Sequence, residues 1–402
     1  MTRGHAAIFA LFVAVASCAA IDCGGTTNDN SAADASTSDA SDAATADTSV
    51  IPTDDGGTDG GQSALVQLAF PSPLPPSFPA HFDALTPPEY VAVLTDLCGI
   101  DTGTSTRMPS VTLCPKGSAK QTFAPPNLMV DEAQNTTLIW VTKLDVTHDI
   151  VVQGTRALAI VSAGELDVDA LLDVSAQGST AGPGAIVNDG VGVGAATACD
   201  AGAGGSSGGA GFGGDGGDSP SASGGAIYGA DAGVFVGGSS GGGACAKGGG
   251  GGGALQLSSA TTLLVLSPGS LRAEGGGGEG TSGSSAGGGS GGTIYLESLK
   301  AFVVSTDVTA NGGGGGAASA GKNGSNGLTA QIPASGGFVA DGGPNGGSGA
   351  VAAVSATNGV ASTSDPTLAG SGGGAVGRIW LRTGQVPTGS PSFSPAPGVL
   401  SF

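Results

Sequence analysis

Histidine, charge and aromatic surface are all scarce in this chain. Of its 402 residues three are histidine, 11% are charged and 4% are aromatic. Beyond the N-terminus the histidines are His81 and His148, both upstream of the region that holds most of the glycine. A histidine-activated nucleophile or a zinc centre has little to be built from. None of the six cysteines falls in a CxxC pair or beside a histidine, which also argues against zinc. Twelve basic residues stand against 32 acidic ones, for a net charge of −20. No stretch can neutralise a phosphate backbone, so nucleic acid is excluded as a partner.

Glycine is what the chain has instead. Sixty-six of its 79 glycines follow Gly178, in runs with alanine and serine. Glycine buries no side chain and loses the most backbone freedom on ordering, so an ordinary enzyme core is not expected there. A strict G-X-Y period and abundant proline are both missing, which excludes collagen. Glycine does recur at every third position from Gly202 to Gly217, a run that this density produces by chance.

The N-terminus reads as an export signal over residues 1–17: Arg3, then the apolar stretch Ala6–Ala16, too short to span a bilayer. It ends in Val15-Ala16-Ser17-Cys18, which resembles a bacterial lipobox. The resemblance implies that Cys18 is lipidated and becomes the mature N-terminus, with Ala19 directing it to the outer membrane. Residues 18–62 form an acidic tether, with nine aspartates and no Lys or Arg between Asp22 and Gly61. Like charges with nothing apolar to bury leave such a segment disordered and extended. Export also suits two disulfides, Cys98–Cys114 and Cys199–Cys245.

Residues 63–135 read as a small mixed module. A proline-rich start favours extended backbone, and Glu89–Leu97 (EYVAVLTDL) predicts a short helix closing at Gly99. From Thr136 to Ala176 β-branched and aliphatic residues alternate with polar ones, which predicts strands. A repeat then emerges. Leu158-Ala-Ile160 leads to Ala176-Gln-Gly178, Leu255-Gln-Leu257 to Ala273-Glu-Gly275, and Ile294-Tyr-Leu296 to Ala310-Asn-Gly312; a half copy, Arg378–Thr383, closes the series. Each copy is apolar–polar–apolar and cannot bury its apolar face alone, whereas stacked neighbours can. The expected fold is all-β: a glycine-rich solenoid resembling a parallel β-helix over residues 136–402, with glycine at its corners. A glycine-rich sandwich and a disordered glycine tail are the alternatives.

Several catalytic patterns occur by letter. GxSxG appears at Gly204–Gly208, Gly237–Gly241 and Gly283–Gly287, but a nucleophile elbow needs a strand, a helix and a histidine. Gly316–Lys322 approaches a P-loop but has Asn323 where Ser or Thr must hold magnesium. Asp101-Thr102-Gly103 has no second copy to share a proton with. No catalytic residue and no cofactor is therefore assigned. Weak oxygen ligands for calcium are Asp167, Asp169 and Asp173 on one side, and Asp215 and Asp218 on the other; the alternative is the polar face of a strand and a turn.

The lipobox, the acidic Ser/Thr/Asp tether, the strand copies ending A-[QEN]-G and the long runs (GGGGGGALQL, ANGGGGGAA, GGGAVGRIWL) together resemble a class of glycine-rich secreted lipoproteins of Gram-negative bacteria. They are PE-PGRS-like in glycine content, without that family's amphipathic helical N-terminal domain. The resemblance implies a lipid-anchored location at the outer membrane or cell surface, or else secretion. The expected role is non-enzymatic, structural or adhesive, with the membrane as partner and a surface polysaccharide or matrix as contact. The alternative is a polysaccharide-binding module, with Tyr228, Tyr295 and Trp380 as the few stacking platforms.

Overall fold

Alternating apolar residues create the strand core. The computed structural model of the chain describes residues 93–124, 127–187, 190–197, 205–229, 235–243, 245–329, 331–383, 385 and 387–400, all within one unit, Gly57–Phe402. The signal, the tether and Cys199 lie outside the described residues. Successive passes of the chain place strands in three sheets. The first pass is β5 (Thr136–Val141), β6 (Leu144–Val146) and β7 (Ile150–Val151), and the second is β8 (Ala157–Ser162), β9 (Leu166–Val168) and β10 (Leu171–Asp173). The third comprises β11 (Ala254–Ser259), β12 (Thr262–Val265) and β13 (Ser270–Arg272). After the hairpin β14 (Gly280–Thr281) and β15 (Ser284–Ser285) comes the fourth, β16 (Thr293–Ser298), β17 (Ala301–Val304) and β18 (Asp307–Thr309). The chain closes with β19 (Arg378–Thr383), β20 (Ser392–Ser394) and β21 (Gly398–Leu400).

Equivalent residues of successive passes pair in parallel. Ile139, Ile160, Leu257, Leu296 and Leu381 form one row across the largest sheet. Val146, Val168, Val265 and Val304 form a row on the second sheet. Ile150, Leu172, Leu271, Val308 and Phe393 line the third. These rows meet in one core, in which each buried Leu, Ile or Val contributes roughly 1.5–3 kcal/mol.

A small antiparallel sheet, β1 (Leu97–Asp101), β2 (Ser110–Leu113) and β3 (Gln121–Phe123), precedes β4 (Leu128–Asp131), which pairs antiparallel with β5. Leu97, Ile100 and Val111 belong to the shared core, and Leu94 and Asp101 bridge to Leu144 and Gln153. The small sheet thus caps one end of the strand stack. The expected helix at Glu89–Leu97 is overturned in its described part: Leu94 is in a bridge, Asp96 takes a left-handed φ of 58°, and Leu97 opens β1. The core contacts of Leu97 and Ile100 and the Cys98–Cys114 disulfide (Cα–Cα 5.8 Å) override the local helical preference. The described residues contain no helix.

The expected solenoid over 136–402 is also corrected. The sheets combine parallel and antiparallel pairs, and the passes do not close into a continuous solenoid. The glycine stretches are not corners. Residues 174–253, 273–292 and 310–377 are excursions that leave the third sheet and return to the largest one, with little strand among their described residues. Each exit is marked by the A-[QEN]-G signature: Ala176, Ala273 and Ala310 are buried, and the amides of Ala176 and Gly275 donate to Glu274 and Asn311 in the next copy.

The excursions are ordered by hydrogen bonds between their backbones. The segment 285–292 shows the pattern. Amides of Ala286, Gly289 and Gly292 donate to Glu279, Gly276 and Ala273; those of Gly287 and Ser290 to Gly242 and Ser239; those of Gly288 and Gly291 to Gly372 and Ala375. Its carbonyls accept from three further directions: Gly316 and Gly313, Gly249 and Gly252, and Ala210. Bonding directions therefore repeat every three residues, the period of a polyproline II helix, and one segment is bonded to six neighbours. Such contact leaves no room for a side chain at the glycines of the segment. A Cβ at Gly289 would sit against the carbonyl oxygen of Gly250, well inside contact distance.

Part of the three-residue glycine run upstream belongs to the same array. Gly208 and Gly211 donate to the same neighbouring segment, at Ala195 and Gly192. Asparagines before glycine pin the array: Asn326 Oδ1 accepts from the amides of Gly178 (3.0 Å) and Gly277 (2.9 Å), Asn323 from Gly280 (2.9 Å) and Asn358 from Asp218 (2.9 Å).

Two outcomes test this description. Gly289→Ala should lower stability by about 1–3 kcal/mol or more through overpacking, read as a fall in melting temperature; an unchanged melt would refute the lattice. Replacing Cys98 and Cys114, separated by 16 residues, by serine should cost about 3 kcal/mol by the loop-closure argument, measured by denaturant titration of the double variant against wild type.

Candidate binding surface

Side chains with chemistry sit on the strands and at their border with the glycine array, because the array admits few of them; on the largest sheet most of them lie buried on the face turned away from the main core. On the largest sheet the outward row Gln256–Tyr295–Trp380 is followed by the row Ser258–Glu297–Arg382. The Tyr295 and Trp380 rings are near-parallel, 6.5 Å between centroids and 26° apart. Glu297 is 0% exposed and accepts from Ser258 Oγ at 2.6 Å and Gln256 Nε2 at 3.1 Å, with Arg382 Nη1 3.6 Å away. Burial pushes its carboxyl up to about 7, against the opposing effects of the Ser258 bond and the Arg382 charge. The acid is thus a structural centre of the face, closed to solvent.

Trp380 is half-buried. Opposite it on the edge strand β21 stands Gly398, where a Cβ would run into the indole ring. Beside the ring opens a cleft of about 270 Å³ lined by Trp380, Arg378, Pro395, Ala396, Gly213 and Gly377 among others. Arg378 is fixed in place: its Nη2 donates to the carbonyls of Phe212 (3.2 Å) and Tyr228 (2.9 Å), and its guanidinium lies 5.6 Å over the Phe212 ring.

Tyr228 is not a platform. Its ring packs on Phe212 at 4.6 Å, and its hydroxyl donates to Gly237 and accepts from Ser239 Oγ. Burial raises its pKa.

The five candidate calcium aspartates do not form one group. Asp167 instead meets Asp145 and Glu165, their carboxylate oxygens all within 4.8 Å of one another. Lys143 bridges this set, 3.0 Å from Glu165 and 3.3 Å from Asp145, and so already neutralises part of its charge. Desolvation, with Asp169, Asp145 and Glu165 nearby, lifts Asp167 to about 6. Asp145 and Glu165 escaped the sequence reading, although Leu144-Asp145-Val146 repeats as Leu166-Asp167-Val168 and the register pairs them. Asp173 caps the amide of Ser175, Asp215 that of Ile227 and Asp218 that of Gly224, which are turn and strand-end roles. Cys245 is disulfide-bonded; Cys199, its expected partner, lies outside the described residues.

A second buried acid lies at an exit from the third sheet. Glu274 accepts from Thr309 Oγ1 at 2.9 Å, and burial first, then Asp173, lifts it to about 7. Comparison with protein-family models, curated proteins and solved structures returns no match for this chain.

Glu274 and Glu297 are each raised from 4.5 to about 7, so the folded chain holds protons that the unfolded chain releases. The resulting stability is complete below pH 4.5 and is lost as the pH climbs through about 7, to an extent of about 3 kcal/mol per group. Thermal melts should therefore show a higher midpoint at pH 5 than at pH 8, and Glu274→Gln should flatten part of that slope; equal slopes would refute the assignment.

Proposed function

We propose that this chain is a non-enzymatic cell-surface protein, lipid-anchored through Cys18, that presents a rigid body for structural or adhesive contact. One observation carries the reading: the glycine half is a backbone-bonded array in which a central segment touches six neighbours. Rigidity obtained that way supports a display or contact surface, and it leaves few positions where reactive side chains can converge. The lipobox and the acidic tether at the N-terminus account for placement at the outer membrane, and neither requires a spanning helix. Cys199–Cys245 is the expected second brace of the array.

Metabolic labelling with a fatty-acid analogue, followed by surface biotinylation of intact cells, tests the reading. Wild-type chain should carry the label and be accessible to surface biotinylation, and Cys18→Ala should lose both. Label retained by Cys18→Ala would defeat the anchor. An array of this kind should also resist limited proteolysis, and rapid loss of everything after Gly178 would defeat the rigid-body role.

A further inference from the structure

We propose that the cleft beside Trp380 is a carbohydrate subsite that holds one pyranose ring of a neutral surface or matrix polysaccharide. The inference rests on the cell-surface reading only for the source of its ligand. Three features point the same way. Tyr295 is buried and stacked against Trp380, so the indole stands on a fixed base and loses little freedom when a ligand arrives. Gly398, the residue paired with Trp380 on the edge strand, has no side chain to displace the ring. The indole therefore lies over Gly398, and both residues line the cleft.

The lining is the third feature. An indole offers an apolar surface to the C–H face of a sugar, while Arg378 is pinned by two carbonyls and cannot swing away. Gly213 and Gly377 place backbone, not side chains, along the wall. At about 270 Å³ the space lies just below the roughly 300–1,000 Å³ range of small-ligand sites, which suits a single ring. No carboxylate is among the described lining residues, and hydrolysis of a glycosidic bond by the usual route needs two. Binding without cleavage follows.

Affinity electrophoresis of the full chain through gels containing soluble neutral polysaccharides (a β-glucan, a galactomannan and an arabinogalactan) provides the test. Retardation by at least one is expected. Trp380→Ala should weaken it at least tenfold, Trp380→Phe should keep part of it, and Phe338→Ala, an exposed aromatic elsewhere, should leave it unchanged. Ala396→Phe, at another lining position, fills the cleft and should abolish retardation with Trp380 intact. No retardation by any of the polysaccharides, or equal retardation of wild type, Trp380→Ala and Ala396→Phe, would overturn the subsite. A labelled surface chain that binds no polysaccharide defeats the subsite alone, whereas a binding chain that never reaches the surface defeats the cell-surface reading alone.

Discussion

The absence of Cβ atoms at the closely packed glycines of the excursions is the constraint on which the rest depends. A six-neighbour arrangement brings carbonyl oxygens to the position that any side chain would occupy, as at Gly289 against Gly250 and Gly374 against Gly289. Each net backbone hydrogen bond is worth only about 0.5–1.5 kcal/mol, and glycine loses more entropy on ordering than any other residue. The array is therefore viable only because its bonds are many and its ends are held. Both ends of every excursion are strands of the aliphatic core, so the segments meet as parts of one body and not as free chains.

Core and array stabilise each other in different ways. The core supplies apolar burial, with rows such as Leu158, Leu255, Ile294 and Ile379 repeating through the passes. The array contributes less apolar burial, chiefly through Phe212 and through Phe235, which packs with Leu138, Trp140 and Val161, and it also covers polar groups at the third sheet. Asn311 donates to the carbonyl of Leu328 and accepts from Ser394 Oγ, while the amide of Ala352 donates to that same hydroxyl. Glu274 and Thr309 lie buried in the same layer. A buried polar layer must be fully partnered, so the exit points are where sequence freedom is least.

The strand core was legible because its signal is side-chain alternation. The copies at Leu158, Leu255 and Ile294 pair with one another in the register their spacing implied. The Cys98–Cys114 disulfide was legible from cysteine usage. The glycine half was misread as corners because a backbone-bonded array leaves no side-chain pattern. Its one trace, glycine at every third position, coincides with what glycine density yields by chance. The asparagine pins were visible as Asn-Gly pairs, but that pair also marks ordinary turns. The Asp145–Glu165–Asp167 group needed the register, since its members come from different strands and a loop. Tyr228 was misplaced because a tyrosine in a glycine run looks exposed, whereas here Phe212 and Arg378 enclose it.

The same constraint decides where chemistry can reside. Inside the array a side chain longer than serine or alanine would break several bonds at once, so the interior segment 285–292 carries only Ser285, Ala286 and Ser290 besides glycine. Large side chains are pushed to sheet faces, turn tips and the seam between core and array. Phe212, Tyr228 and Arg378 occupy the seam and are used up in holding it, through the cation–π contact and two carbonyl bonds. Glu297 is spent on Ser258 and Gln256 within the largest sheet. Trp380 differs from all of these in being half-buried, stacked on one side and open to a cleft on another. In a fold that hides its backbone in a glycine lattice, recognition falls to the few large side chains that the lattice leaves at its border.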